Sequence, residues 1–143
     1  MLDGVSSPDD MGSGCIHDVR WYVHQLGTAL LQQLETPATL RECLAIAIKA
    51  VAASHAATCD LAHPGTPSAT VAIVRERERT WDHLVLSDTT IVLDCHSGLH
   101  VVTDNSVETV ATAESHASRT SQAGTAEHDQ RLRDLIAAQR RLR

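Results

Sequence analysis

A chain of 143 residues that is 43% hydrophobic and 21% charged can build one folded core, which argues against wholesale disorder. The net charge of −6 comes from 18 acids against 12 bases, and Trp21, Tyr22 and Trp81 are the aromatic residues, so nucleic acid is a poor partner. No apolar run approaches the roughly 20 residues that span a bilayer, and the start MLDGVSSPDDMGSG is neither basic nor apolar; membrane and secretion are set aside for the cytoplasm.

Residues 1–15, rich in Gly, Ser, Asp and Pro, read as a loop. Ile16, Val19, Val23, Leu26, Leu30 and Leu34 recur at spacings of three and four and predict a helix that stops near Thr36-Pro37. Thr39 and Glu42 stand at capping-box spacing and open a second helix. Leu40, Leu44, Ala47, Ile48 and Val51 stripe one of its faces, and it runs to about Thr58. His63-Pro64-Gly65-Thr66-Pro67 ends the helical half.

Ala69–Val74 is an unbroken apolar run, the pattern of a strand covered on both faces. Arg75–Arg79 reads as a solvated, charged hairpin tip. Leu84–Ser87, Thr90–Leu93 and Leu99–Val102 are three further strand patterns, the last two joined by a turn at Ser97-Gly98. Residues 105–124 are polar and read as a mobile stretch. Leu132, Leu135, Ile136 and Leu142 mark a closing helix that ends in arginines suited to its negative pole. The expected fold is therefore α+β: a single domain over 1–143 with two helices on an antiparallel meander and one C-terminal helix.

Chemistry could reside at three aspartates where regular elements meet loops: Asp3, Asp88 and Asp104. Carboxylates at strand ends hold hard divalent cations, and a pair of such ions can activate water for displacement at phosphorus. The bland alternative is an aspartate accepting a local backbone bond in a turn. His55, Cys59 and His63 fall at i, i+4 and i+8, compatible with a zinc or copper site, against the reading of a face of small polar and core residues. Cys15-Ile16-His17 suggests a thiol–imidazole pair, although such pairs assemble in space rather than in sequence. Cysteines 15, 43, 59 and 95 form no CxxC pair and read as reduced thiols. Nine histidines are compatible with a pH response or with ordinary surface positions. Ser68 and Ser87 lack the context of a nucleophilic serine.

The order of short motifs adds a resemblance. Leu2-Asp3-Gly4-Val5 is similar to an Asp-Gly signature, and Gly65-Thr66-Pro67-Ser68-Ala69-Thr70-Val71-Ala72 to a Gly-Ser/Thr-Thr-Ala stretch leading into a strand. Leu84-Val85-Leu86-Ser87-Asp88-Thr89 is similar to an Asn-x-Gly-Asp-Ser-Arg strand end. Leu99-His100-Val101-Val102-Thr103-Asp104-Asn105-Ser106 is similar to a Leu-Thr-x-Asp-His-Ser hairpin. Over about two thirds of its length the chain thus resembles the PP2C-type (PPM family) metal-dependent protein serine/threonine phosphatases, bacterial members in particular.

The resemblance implies packed antiparallel sheets flanked by helices and hydrolysis of phosphoserine or phosphothreonine in a phosphoprotein. It implies that Asp3 bridges two Mg²⁺ or Mn²⁺ ions, that the Gly4 carbonyl binds one, and that Asp88 contributes to a weaker third site. Asp104 is then a supporting candidate. The chain departs from the family in lacking an upstream Asn-Glu-Asp strand and a downstream Ser-Asp-Gly strand, in reading Val5-Ser6-Ser7 after Asp-Gly, and in Ser87 and Thr89-Thr90. One bridging carboxylate holds a two-metal cluster poorly, so the chain taken alone is expected to be truncated and catalytically feeble. Open sheet edges left by missing strands would favour a homodimer. Two other functions remain open: a non-catalytic module that binds a protein partner, and a small regulator that holds metal on its His/Cys face.

Overall fold

Val71 and Ile73 alternate with Thr70 and Ala72 along strand β2 (Ser68–Arg77), and all four are buried. This is the two-sided burial that its apolar run predicts. The computed structural model describes residues 1–5, 12–106, 109 and 112–140. In these the protein is α+β. The chain divides into two compact units, Met1–Thr103 and Asp104–Arg143.

In the first unit β2 lies at the centre of a three-stranded antiparallel sheet, between β1 (Leu2–Val5) and β3 (Thr80–Leu86). β1 corrects the expectation of a loop at Leu2–Val5; residues 6–11 of that expected loop lie outside the described residues. Four residues containing a glycine carry too little periodicity to announce a strand. The strand forms because a distant partner exists: Leu2 pairs with Val71 and Asp3 with Thr70. The Met1 ammonium donates to the Ala72 carbonyl at 2.7 Å, and Leu2 packs against the core.

Helices α1 (Val19–Leu34) and α2 (Leu40–His55) supply the rest of that core. Leu26 and Leu30 of the first and Leu40, Cys43, Leu44, Ala47 and Val51 of the second meet Ala69, Val71 and Ile73 of β2. Asp18 caps α1 by accepting the Trp21 N–H at 2.7 Å, so the helix starts three residues past Ile16, which is exposed. The capping box of α2 is present: the Glu42 N–H reaches the Thr39 hydroxyl, and the Thr39 N–H reaches Glu42 Oε2 at 2.9 Å. This helix ends at His55, short of Thr58, and Ile48 faces outward.

Arg75, Glu76 and Arg77 belong to β2, and the turn is Glu78-Arg79, with Glu78 at φ 48°. The expected solvated tip is corrected here. Arg75 donates to the Ala38 carbonyl and to Asp82, each at 2.9 Å. Arg77 donates to the carbonyls of Thr36 and Ala38 at 3.1 Å. The two arginines continue the helix-facing side of β2 and tie it to the α1–α2 linker. β4 (Thr90–Cys95) and β5 (Gly98–Thr103) form a separate hairpin instead of extending a meander. Ser87, buried at φ 67°, turns the chain after β3, and the Thr89 N–H closes onto its carbonyl at 2.8 Å.

The second unit contains α3 (Thr112–Thr120), inside the stretch expected to be mobile, and α4 (Ala126–Arg140). Arg131 donates to the Ala117 carbonyl at 2.9 Å, and Ser121 Oγ meets His128 Nδ1 at 2.9 Å, so polar contacts join the pair. Leu142 and the two final arginines lie outside the described residues. Among the described residues no helix is long and apolar enough to cross a membrane.

Candidate functional site

β1 and β3 run in the same direction on either side of β2, and Leu2, Val71 and Leu86 share one row of the sheet. Asp3 is the next residue along β1, and Asp88 follows Leu86 by two. Asp3 thus sits within β1 opposite Thr70, and Asp88 lies just past the end of β3, beyond the turn at Ser87. Strand alternation puts Leu2 and Gly4 toward α1 and Asp3 on the opposite side. Gly4 sits there because α1 comes so close: a Cβ on it would overlap Val19 Cγ1 and lie 2.9 Å from Val23 Cγ2. The Asp3 carboxylate is exposed and has no hydrogen-bond or ion-pair partner among the described residues.

The other two aspartates have local bonds. Asp88 Oδ1 accepts from the Ser87 hydroxyl at 3.4 Å, and Asp104 Oδ1 accepts the Ser106 N–H at 3.0 Å in a turn of its own. Asp3, Asp88 and Asp104 do not enter any three-residue cluster of ligating side chains among the described residues. An exposed carboxylate beside a glycine carbonyl nevertheless suits a hydrated hard cation, since Mg²⁺ keeps several waters and uses one or two carboxylates.

The ligating side chains that do converge are Cys15, His55 and Cys59, whose donor atoms all lie within 4.8 Å of one another. His55 is the last residue of α2, and Cys59 follows one turn later with its N–H on the His55 carbonyl at 3.0 Å. Cys15 arrives from the loop before α1, its Sγ 3.4 Å from His55 Nδ1. Two bonds fix that loop. The Gly14 carbonyl accepts the Asp60 N–H at 2.7 Å, and the Ser13 hydroxyl donates to the Cys15 carbonyl at 2.8 Å. Gly14, at φ 63°, must be glycine twice over, because a Cβ there would also overlap His63 Cβ.

His55 is buried, with the Trp21 ring edge-on at 5.1 Å and the His17 ring at 5.9 Å. His17 itself stacks on Trp21 at 3.8 Å and does not pair with Cys15. Partial burial pushes the Cys59 thiol up, but hydrogen bonding to Cys15, His55, the Ile16 backbone and Thr58 outweighs it and brings the group to about 6. Burial, together with hydrogen bonding and charge from Cys59, pushes Cys15 up.

The predicted His55–Cys59–His63 set thus needs correction. His63 accepts the Gly65 N–H at 3.0 Å within its own turn, and Cys15 takes its place in the cluster. Sequence reading missed the convergence because Cys15 lies 40 residues from His55. The available signal was a cysteine just after two glycines, together with His55 and Cys59 one turn apart where a helix ends.

A concavity of about 850 Å³ lies toward the other end of the sheet, lined by Leu40, Arg75, Arg77, Trp81 and Asp82 among others. The terminal nitrogens of Arg75 and Arg77 are engaged by the contacts described above. No family model, curated protein or solved structure matches the chain.

Proposed function

We propose that this chain carries part of a PP2C-type site for metal-dependent hydrolysis of phosphoserine or phosphothreonine in a protein substrate. The observation that carries the reading is the exposed Asp3 carboxylate, without a partner among the described residues, beside Gly4 on β1, with Asp88 just past the end of β3 in the same sheet. The motif resemblance supports it.

Asp3 and the Gly4 carbonyl would hold Mg²⁺ or Mn²⁺, with Asp88 as an additional acid. The bound metal supplies an activated water and neutralises phosphoryl charge. The chain's own contribution is positional. β2 fixes the spacing of β1 and β3, and α1, seated on Gly4, fixes the height of β1. Among the described residues no further ligating side chains cluster with Asp3, so turnover by this chain alone is expected to be slow. The free thiols at Cys15, Cys43, Cys59 and Cys95 are in keeping with a reducing cytoplasmic setting.

The test is Mn²⁺ titration, followed by calorimetry and by p-nitrophenyl phosphate turnover. Asp3→Ala is expected to abolish Mn²⁺ binding and any Mn²⁺-dependent turnover, whereas His55→Ala leaves the turnover in place. Equal Mn²⁺ binding by the chain and its Asp3→Ala variant would overturn the proposal. Binding without turnover favours a second role for the same surface, recognition of a phosphorylated protein.

A further inference from the structure

We propose that Cys15, His55 and Cys59 form a zinc site that clasps the Gly12–His17 segment to the end of α2. Three observations support the site. The donor spacing is right: sulfur at about 2.3 Å and nitrogen at about 2.1 Å from a tetrahedral zinc lie about 3.6 Å apart. The Cys15 Sγ to His55 Nδ1 distance is 3.4 Å, and the remaining separations stay within 4.8 Å. The bonds of Gly14 to Asp60 and of Ser13 to Cys15 involve none of the donor side chains, so the backbone positions the ligands before an ion arrives. The His55 imidazole is buried and meets a thiol, whereas the core thiol Cys43 donates to the Gln33 carbonyl at 3.2 Å and lies in no such cluster.

Two sulfurs and an imidazole form a soft donor set, suited to zinc and poorly suited to the Mg²⁺ or Mn²⁺ proposed for Asp3. Both cysteines ligate as thiolates and give up their protons to solvent. Three protein ligands leave the fourth position of the tetrahedron to water. The ion joins segments 40 residues apart and stabilises the folded chain by mass action. It is a different site from the Asp3 and Asp88 carboxylates and does not depend on the phosphatase reading.

The full chain, reduced and stripped with a chelator, is titrated first with Co²⁺ and then with Zn²⁺. One cobalt per chain is expected, giving the thiolate-to-cobalt charge-transfer band and the intense visible bands of a tetrahedral centre, both erased by equimolar zinc. Zinc should also raise the melting temperature. Cys15→Ser and Cys59→Ser are each expected to weaken binding by at least roughly the 10–100-fold that loss of a mere supporting residue costs. Cys95→Ser and His63→Ala should bind as the unmodified chain does.

Because a serine variant can misfold, zinc-edge X-ray absorption on the unmodified chain provides a second readout, with two sulfur and one imidazole nitrogen scatterers expected. Absence of the cobalt bands, their persistence in Cys59→Ser, or an all-oxygen and nitrogen shell would overturn the site. So would recovery of Cys15 and Cys59 as a disulfide that persists in reductant. None of these readouts involves phosphate turnover, so the zinc site and the phosphatase reading can fail separately.

Discussion

At the scale of single residues, Gly4 links fold and proposed chemistry, because the backbone that carries Asp3 can approach α1 only where a side chain is missing. Gly4→Ala is expected to cost about 1–3 kcal/mol through overpacking against Val19 and Val23, measured by chemical denaturation. Val19→Ala in the same chain should recover part of the loss, which distinguishes steric contact from a backbone effect. The Asp-Gly pair was visible in the sequence as a motif, but the reason for its glycine was not, since Val19 is a neighbour only after the helix has docked. Cys15 illustrates the same limit. Its chemistry could be guessed from residue type, but its partner could not, because sequence adjacency favoured His17, whose ring is stacked on Trp21.

At the scale of elements, signals confined to one turn of chain were legible and those requiring a distant strand were not. The α2 start was readable because Thr39 and Glu42 satisfy each other's backbone within three residues. Thr39→Ala is expected to cost about 1 kcal/mol. The Thr39 N–H and hydroxyl hold the Glu42 carboxyl below its ordinary value of 4.5. A depressed carboxyl stabilises the fold above the unfolded value, and that contribution is lost as pH falls through the lower folded value. Denaturation midpoints measured from about pH 6 down to about pH 3 should therefore show a fall that is smaller in Glu42→Gln, which keeps the box geometry without the charge. β1 gave no comparable signal. Its four residues become a strand only by pairing with the chain near Ala72, some seventy positions away.

At the scale of the whole molecule, the α+β class followed from two helical periods succeeded by four β-rich runs. The division into two units did not, because α3 has a polar composition that reads as a loop until Arg131 and His128 are seen bonded to Ala117 and Ser121. The β4–β5 hairpin pairs with no other strand among the described residues. On one of its faces Val92 lies opposite Val101 with Leu99 beside them, and all three are exposed, at 59, 66 and 69%. An apolar strip next to open strand edges favours a second copy of the chain. Sedimentation equilibrium is expected to show concentration-dependent dimerisation that Val101→Lys abolishes.

The alternating Arg75-Glu76-Arg77-Glu78 run has a consequence for how the sheet finds its pairing. Only the arginines reach the carbonyls of Thr36 and Ala38. A slip of β2 by one residue would swap the two faces and bring carboxylates against those carbonyl oxygens, while Thr70 and Ala72 replaced Val71 and Ile73 in the core. The charged run works as a ruler: its alternating sign makes a misthreaded hairpin repel the very linker on which it must close.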